Sequence, residues 1–533
     1  MTVITNPIIP GFNPDPSIIR VGEAYYIATS TFEWFPGVCI YKSYDLKNWK
    51  LVSYPLNRKS QLDMLGNPDS GGVYAPCLSH HNGRFYLIFT DVKNVAGRFW
   101  DPNNYIVTTE NIEGAWSEPH SLHSRGIDPS LFHHSDGTKW LVSMEMSHMD
   151  GGRPNFPKWN GIIIQQYDAE EHRLVGECRK IYSGTTLGIT EGPHIYEANG
   201  WFYLLTAEGG TFYDHGVTLA RSRDLFGPYE TDPIGQMMTS RYDCRLSLQR
   251  VGHADLFENS IGEWFIVHLC GRPLPSKGRS PMGRETAIQR VYWNDEGWLR
   301  LANGKTTPEI EVQTNLNERA WDEQPARDDF DLPELPLHYQ SLRIPLNEDM
   351  CTLKERKGWL RLRGRESLSS HHYQSLLARR QTDYMFTAQT CVDFNPRSFH
   401  QMAGLVCFYD TTNFIYLNIS CNDNGERTVN LMVNDLNNFS MLTGDGIKIA
   451  REGYVYLKVC VKGDAAWFYY SLDEKTWFPV GDYVEYSKLS DEYFKERMIE
   501  RFTGAFIGMC CQDFTGEKIC ADFDYFSCTP LSD

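Results

Sequence analysis

Residues 15–19, Asp15-Pro-Ser-Ile-Ile, begin a pattern that decides the fold, because related segments follow along the chain. These segments are Ala75-Pro-Cys-Leu-Ser, Asp128-Pro-Ser-Leu-Phe, Glu191-Gly-Pro-His-Ile and His253-Ala-Asp-Leu-Phe. Each of the five is followed by a polar turn that contains a glycine and then by an aromatic run; the glycines are Gly22, Gly83, Gly137, Gly200 and Gly262. A short apolar run, a glycine turn and a β-rich run form a hairpin. The pattern therefore predicts five repeats of one β unit.

The spacing of these repeats predicts a propeller. The first residues of the five segments are separated by 60, 53, 63 and 62 positions, which leaves room for four short strands in each repeat. Repeats of this kind are typical of propeller blades. We therefore expect a five-bladed β-propeller over residues 1–304, in which equivalent positions converge on one axis. Asp15, Asp128 and Glu191 would then surround one cavity, and such a buried acidic cluster is costly unless it performs chemistry.

The remainder of the chain predicts a second β domain. Residues 305–327 are rich in proline and acidic residues and are interpreted as a linker. From 328 to 533 the sequence stays β-rich without the earlier repeat, and runs such as 414–419 and 454–459 alternate apolar and polar side chains. This pattern favours one β-sandwich of the concanavalin A or lectin-like type. A single short helix is expected within 487–501, so the fold class is all-β.

Composition excludes several classes of partner. The chain of 533 residues has 51 Lys and Arg against 68 Asp and Glu, a net charge of −17, which argues against nucleic acid and anionic membranes. The N-terminus lacks the features of a secretion signal, and no apolar run approaches the length of a membrane span. The 14 cysteines form no C-x-x-C pair and are interpreted as reduced thiols. We expect a cytoplasmic location and a neutral substrate.

The recurring carboxylates suggest acid–base chemistry. Asp before Pro is common in turns, but three acids at equivalent positions, with Ala75 and His253 at the other two, favour catalysis. Like charges in one cleft separate their pKa values into acid and base roles. Two carboxylates are enough for glycoside hydrolysis, and a third can retain the acid's proton by repulsion. A metal site is the rival interpretation, since hard cations bind carboxylates, although the predicted propeller has no D-x-D-x-D loop.

Several longer motifs resemble those of glycoside hydrolase family 43. They are NPDPS (13–17), STFEWFPGV (30–38), SGGVYAP (70–76), RGIDPSLF (125–132), TEGPHIY (190–196), TAEGGT (206–211) and GRETAIQR (283–290). FTGAFIG (502–508) and ADFDYF (521–526) extend the resemblance over essentially the whole chain. The sequence is most similar to the intracellular two-domain β-xylosidases of that family.

The resemblance implies an inverting enzyme that removes single xylose units from the non-reducing end of β-1,4-xylo-oligosaccharides and needs no cofactor for catalysis. By resemblance, Asp15 is the general base, Glu191 the general acid and Asp128 the residue that modulates the pKa of the acid. Side activity on α-L-arabinofuranosides is expected, because the two sugars present similar hydroxyl patterns. Two alternatives stay open: an α-L-arabinofuranosidase proper, and a non-catalytic carbohydrate-binding propeller, which would gain nothing from an acid kept protonated.

The resemblance also assigns residues that contact the substrate. Arg284 matches an arginine that binds the hydroxyls of the terminal sugar, although an Arg-Glu pair is more often a surface ion pair. His253 matches a pocket histidine, although a lone histidine in a strand is more often a core residue. Four aromatic residues would line the pocket: Phe32, Trp34, Tyr74 and, reaching across from the second domain, Phe502. Tyr74 stands where the family usually has tryptophan, so we expect the apolar wall of the pocket to be altered. The stretch 271–283 is short compared with relatives, so we expect the mouth of the active site to differ as well.

Two further expectations come from relatives. Acids that match Asp331 and Asp524, at opposite ends of the sandwich sequence, suggest a structural calcium ion that would pin the first and last strands together. Solvated acids on loops are an equally good interpretation. Relatives often form tetramers, so a homo-oligomer, either a tetramer or a dimer, is expected.

Overall fold

The computed structural model describes residues 1–149, 156–322 and 325–531. It divides the chain into two compact units: unit 1 comprises 1–272 and 284–321, and unit 2 comprises 273–283 and 322–533. The described residues are almost entirely β, with a short α-helix, Asp491–Lys495, inside the predicted helical segment and a 3-10 turn, Tyr486–Lys488, that overlaps the start of that segment. Within these ranges, no helix combines the length and the apolar character needed to cross a membrane.

Unit 1 contains five four-stranded antiparallel sheets, which confirms the predicted five-bladed propeller. The strands are, in blade I, Ser17–Val21, Ala24–Thr29, Cys39–Ser43 and Lys50–Ser53; in blade II, Gly72–His81, Arg84–Val92, Pro102–Thr109 and His120–Ser121; in blade III, Ser130–His133, Lys139–Ser147, Lys158–Asp168 and Arg173–Tyr182; in blade IV, Glu191–Ala198, Trp201–Glu208, Gly216–Ser222 and Glu230–Thr239; in blade V, Gln249–Glu258, Trp264–Gly271, Glu285–Trp293 and Leu299–Leu301. A short strand, Trp34–Phe35, lies outside the blade sheets.

The predicted glycine turns connect the first and second strands of every blade. All five glycines have left-handed backbone: Gly22 with φ 62°, Gly83 with 76°, Gly137 with 92°, Gly200 with 71° and Gly262 with 83°. Residues with a Cβ avoid this region, whereas glycine adopts it at little steric cost. The repeat visible in the sequence is therefore the repeat of the first hairpin of each blade.

The two ends of unit 1 are joined by a strand pair that the sequence analysis missed. Thr2–Thr5 pairs antiparallel with Glu311–Thr314. The predicted linker over 305–327 therefore begins too early, because its residues up to Trp321 belong to unit 1. Its polar composition concealed a strand in which only Val312 and Thr314 are buried. Residues 323 and 324 of the predicted linker lie outside the described residues.

Unit 2 is the predicted β-sandwich. One sheet contains Arg327–Asp328, Cys351–Thr352, Leu360–Arg363, Met385–Asp393, Val455–Lys462, Ala465–Ser471, Phe478–Pro479, Val484–Glu485 and Cys520–Pro530. The other contains Leu376–Arg380, Gln401–Asp410, Asn413–Cys421, Arg427–Asp435, Asn438–Met441, Ile447–Lys448 and Phe506–Asp513, and Ser341–Leu342 lies outside both sheets. Val455–Lys462 alternates between buried and more exposed residues as predicted, whereas Asn413–Cys421 is buried throughout.

Residues 273–283 leave blade V after its second strand and belong to unit 2. Arg279 anchors them, because its guanidinium lies 3.0 Å from Glu485 and 2.8 Å from Glu496. The backbone N–H of Ser280 also donates to a carboxylate oxygen of Glu492 at 2.9 Å. A short stretch inside the propeller sequence is thus a structural part of the sandwich.

Candidate active site

Three candidate residues have an unusual backbone conformation at or near the first strand of their blades: Asp15 and Asp128 lie two residues before that strand and His253 lies within it. Asp15, Asp128 and His253 have φ of 56°, 55° and 48°, in the left-handed region. This region is uncommon for residues with a side chain, and such strain, on the order of 1–3 kcal/mol per residue, collects at functional sites. The same turn in three blades therefore presents three polar side chains at the site.

The structure corrects the alignment of the fourth blade. Gly192, with φ of 57°, is the left-handed residue there, so it is Gly192 and not Glu191 that is equivalent to Asp15 and Asp128. In blades I to IV a proline directly follows the left-handed residue, and Pro193 was the signal that could have revealed this register. Glu191 therefore enters the site from one position earlier in the chain.

Both carboxylate oxygens of Asp15 have donors. Arg284 donates to Oδ1 at 2.8 Å and the Ser30 hydroxyl donates to Oδ2 at 2.8 Å. The backbone N–H of Ala75 donates to the Ser30 oxygen at 2.8 Å, so the neighbouring blade orients that hydroxyl. Asp15 is only 5% exposed and Arg284 only 2% exposed, so this ion pair is shielded from water and its geometry is fixed.

The backbone places Arg284 beside Asp15. The N–H of Asn13 donates to the carbonyl oxygen of Arg284 at 2.9 Å, and the hydroxyl of Thr286 donates to the carbonyl of Asn13 at 2.7 Å. The carboxylate of Glu285 accepts the N–H of Gly11 at 2.8 Å. The third strand of blade V is therefore bound to the segment that leads into Asp15, which places these two distant parts of the sequence side by side.

Asp128 and Glu191 form the other side of the cluster. Asp128 accepts the N–H of Gly192 at 3.0 Å, and Glu191 accepts the indole N–H of Trp159 at 2.9 Å. Burial, followed by the charges of Glu191 and Asp15, raises the pKa of Asp128 well above its ordinary value. Because two neighbouring buried carboxylates disfavour each other's ionisation, this environment favours a proton shared by Asp128 and Glu191.

His253 lies between the two sides of the cluster. Its Nδ1 is 3.8 Å from Asp15 Oδ1 and 4.0 Å from Asp128 Oδ2. Burial lowers the pKa of His253 to about 4, so the imidazole is neutral at neutral pH. A Cβ at Gly192 would lie within 3.1–3.2 Å of three atoms of the imidazole ring. The glycine is needed there for its φ and for this close packing.

Two of the predicted aromatic residues belong to the site. The Phe32 ring lies 4.4 Å from the Tyr74 ring, and the Arg284 guanidinium lies 5.2 Å from the centre of the Phe32 ring. The Tyr74 hydroxyl donates to the carbonyl oxygen of Ser70, and burial raises the pKa of Tyr74 well above its ordinary value. Trp34 is completely buried, so its contact with a sugar stays a prediction.

The structure adds supporting residues that sequence reasoning missed. Glu208 is fully buried and accepts hydrogen bonds from Thr190 at 3.0 Å and from the backbone of Thr185 at 2.9 Å, which holds the loop before Glu191. Ser30 and Glu208 lie within motifs quoted above, so the motifs themselves were a signal. Trp159 lies in none of them, and its hydrogen bond to Glu191 had no signal in the sequence.

The remaining candidate residues lie in unit 2. Phe502 is half-buried, and the N–H of Thr503 after it donates to Asp491 at 3.1 Å. Its part in the pocket stays a prediction.

Asp524, one of the two acids proposed for calcium, lies among other charged groups. Burial raises the pKa of Asp524, as do the charges of Asp329 and Glu474, while the charge of Arg327 lowers it. Arg327 also donates to Asp329 at 2.6 Å, so a guanidinium already supplies positive charge there. Within the described ranges, no group of three or more His, Cys, Asp or Glu side chains is placed to hold a metal ion. The donor set does not support calcium at Asp331 and Asp524, and the ion stays a prediction.

Comparison with known proteins agrees with this geometry. Residues 4–299 match the family described as glycosyl hydrolases family 43, and residues 327–529 match the β-xylosidase C-terminal concanavalin A-like domain. The chain is 46% identical over 540 residues to xylosidase/arabinosidase 43B of Humicola insolens, covering 100% of this chain and 98% of that protein. It is 45% identical over 534 residues to a β-xylosidase of Bacillus subtilis (strain 168), covering 98% of this chain and 99% of that protein.

A solved structure gives the same result. The crystal structure of xylan β-1,4-xylosidase from Bacillus halodurans C-125 superimposes with a TM-score of 0.96 at 49% identity, covering 99% of this chain and 100% of that one. The family match, the full-length relatives and the carboxylate cluster agree. The chain belongs to glycosyl hydrolase family 43 and is a glycoside hydrolase.

Proposed function

We propose that the protein is an inverting exo-β-1,4-xylosidase that releases xylose from the non-reducing end of xylo-oligosaccharides, with side activity on α-L-arabinofuranosides. The observation that carries this proposal is the asymmetry of the cluster: Asp15 is paired with Arg284, whereas Asp128 and Glu191 face each other as like charges. One ionised carboxylate and one carboxyl group that retains its proton are what glycoside hydrolysis requires, and room for a water molecule between the two groups is what makes it inverting. The names of the similar proteins support xylose as the sugar.

In the proposed reaction, Asp15 removes a proton from a water molecule whose oxygen attacks the anomeric carbon. Glu191 gives its proton to the glycosidic oxygen as the bond between that oxygen and the anomeric carbon breaks. One proton enters the enzyme at Asp15 and one leaves from Glu191, so solvent exchange restores both groups. The water needs room between them, and we expect the two carboxyl groups to lie ~6.5–9.5 Å apart.

The neighbouring residues prepare these two groups. Asp128 keeps the shared proton in the site by like-charge repulsion, so that Glu191 can carry it when a glycosidic oxygen binds. Arg284 holds Asp15 in place, and its remaining donors can bind sugar hydroxyls. Phe32 and Tyr74 supply an apolar wall for the sugar ring, and Phe502 would complete that wall.

An α-L-arabinofuranosidase proper is the second candidate, because one similar protein is named a xylosidase/arabinosidase. The chromogenic substrates nitrophenyl β-D-xylopyranoside and nitrophenyl α-L-arabinofuranoside separate the two. We expect kcat/KM to be higher for the xyloside. A higher value for the arabinofuranoside would establish the second candidate, and hydrolysis of neither substrate would contradict both candidates. The cytoplasmic location and the tetramer or dimer stay predictions.

A further inference from the structure

A cavity of about 520 Å³ lies on one sheet of unit 2. Its lining residues fall within 399–445, a part of the chain that contains none of the proposed catalytic residues. It opens over the strands Asn413–Cys421 and Arg427–Asp435. Alternate residues of these strands, such as Leu417 and Leu431, face the sandwich core, so the residues between them face the cavity side of the sheet. Its volume falls within the range of about 300–1,000 Å³ that is usual for small-molecule sites.

The floor of the cavity is polar. Asn418 and Asn430 lie directly opposite each other on neighbouring strands, and Ser420 follows on the same face. Asn418 is only 1% exposed, and its side-chain oxygen has no hydrogen-bond partner among the described residues. Buried polar atoms in proteins are almost always hydrogen-bonded. The floor of the cavity therefore contains an unsatisfied buried acceptor, which a hydroxyl or amide donor of a ligand that reaches it would satisfy.

Part of the cavity wall is apolar. Phe399 is 51% exposed and Met441 is 43% exposed, although both are large hydrophobic residues. An exposed aromatic ring beside polar groups provides a flat apolar surface and hydrogen bonds at the same place. This combination suits a ligand that has an apolar face and polar edges.

The charges of the lining select the class of ligand. Among the described residues, no Lys, Arg or His lines the cavity, whereas Asp423 and Asp445 do, so an anion would be repelled. Within the described ranges, no group of three or more His, Cys, Asp or Glu side chains is placed to hold a metal ion. A neutral sugar fits: its C–H face can pack on Phe399, and its hydroxyls can donate to Asn418.

We infer that this cavity is a second carbohydrate-binding site, which takes a neutral xylo-oligosaccharide and performs no chemistry on it. The choice of xylose rests on the proposed function. Such a site would let unit 2 hold the type of chain whose ends unit 1 hydrolyses. It would also explain why a polar floor and an exposed aromatic wall occur together on a sandwich sheet.

Calorimetric titration of the full-length Glu191→Gln protein with xylotetraose tests the inference without hydrolysis. We expect two molecules bound per chain. Adding Phe399→Ala should weaken one of the two sites at least about tenfold, as the loss of a stacking ring does. Asn418→Leu should have the same effect by removing the acceptor. Phe478→Ala is the matched control, because Phe478 is 45% exposed and lies on the other sheet.

The outcomes separate this inference from the proposed function. A stoichiometry of one, unchanged by Phe399→Ala, contradicts the second site, even if the wild-type chain hydrolyses nitrophenyl β-D-xylopyranoside. Failure of the wild-type chain to hydrolyse that substrate contradicts the proposed function instead. If Phe399→Ala alters the sedimentation coefficient but not the stoichiometry, the cavity is a contact between copies of the chain and the inference is overturned.

Discussion

Asp15 and Asp128 occupy equivalent positions in blades I and III, with the same left-handed backbone and nearly the same burial. Their partners differ. Asp15 faces the guanidinium of Arg284, whereas Asp128 faces the carboxyl group of Glu191 and has a pKa well above its ordinary value. The comparison shows that the repeat places the carboxyl groups and that side chains from other blades decide their chemistry.

Asp15→Asn should have the largest effect. It removes the proposed base and leaves Arg284 buried beside a neutral amide. We expect kcat for xylobiose to fall by about 10²–10⁴-fold, the contribution typical of a positioned base. Steady-state kinetics measure the loss, and circular dichroism checks that the fold is retained. Activity close to wild type would assign the base to another residue.

Asp128→Asn tests the other side of the comparison. Without the charge of Asp128, we expect Glu191 to lose its proton at lower pH. The acid must be protonated to act, so activity is lost as pH rises through its pKa, and the alkaline limb of the kcat profile should move to lower pH. We also expect kcat to fall by about 10–100-fold. An unchanged pH profile would show that Asp128 has only a structural role.

Trp159→Phe should have a smaller and more selective effect. It removes the N–H that donates to Glu191 and keeps an aromatic ring in place. That hydrogen bond stabilises the carboxylate formed as the proton leaves, so we expect about a tenfold loss for xylobiose. The loss should be smaller for nitrophenyl β-D-xylopyranoside, whose leaving group needs less protonation.

Trp100→Phe is the matched control for this test. The Trp100 ring lies 6.1 Å from the Trp159 ring, but the hydrogen bond to Glu191 comes from Trp159. The control should leave the ratio of the two substrates unchanged. Equal losses on both substrates for Trp159→Phe would mean that Trp159 supports the fold and not the proton transfer.

The smallest effect is expected from a chelator. Asp524 resembles Asp15 in having a guanidinium nearby, that of Arg327, which lowers its pKa against the effect of burial. Because Arg327 already supplies a positive charge there, we expect excess EDTA to change neither the melting temperature nor kcat. A lower melting temperature, reversed by added calcium, would instead confirm the calcium ion predicted at Asp331 and Asp524.

The sequence predicted those features that depend on local patterns. The glycine turns predicted the five blades, because each turn needs φ above zero, and the repeated acids predicted the carboxylate cluster. Features set by contacts between distant segments were missed. Trp159 of blade III donates to Glu191 of blade IV, and the Ala75 N–H of blade II orients the Ser30 hydroxyl of blade I. The strand Glu311–Thr314 pairs with Thr2–Thr5, at the other end of the unit 1 sequence. Glu191 lies one position before Gly192, which is the residue equivalent to Asp15 and Asp128. Pro193 marks this equivalence, because a proline also follows Asp15 and Asp128.

The stereochemistry of the first product tests the central claim most directly, since it depends on whether Asp15 activates water or attacks the sugar. Proton NMR of xylobiose hydrolysis, recorded before mutarotation, reports the anomer that the enzyme releases. The proposed roles of Asp15 and Glu191 predict α-xylose from the non-reducing unit. Initial release of β-xylose would contradict the inverting mechanism and the division of roles between the two sides of the cluster.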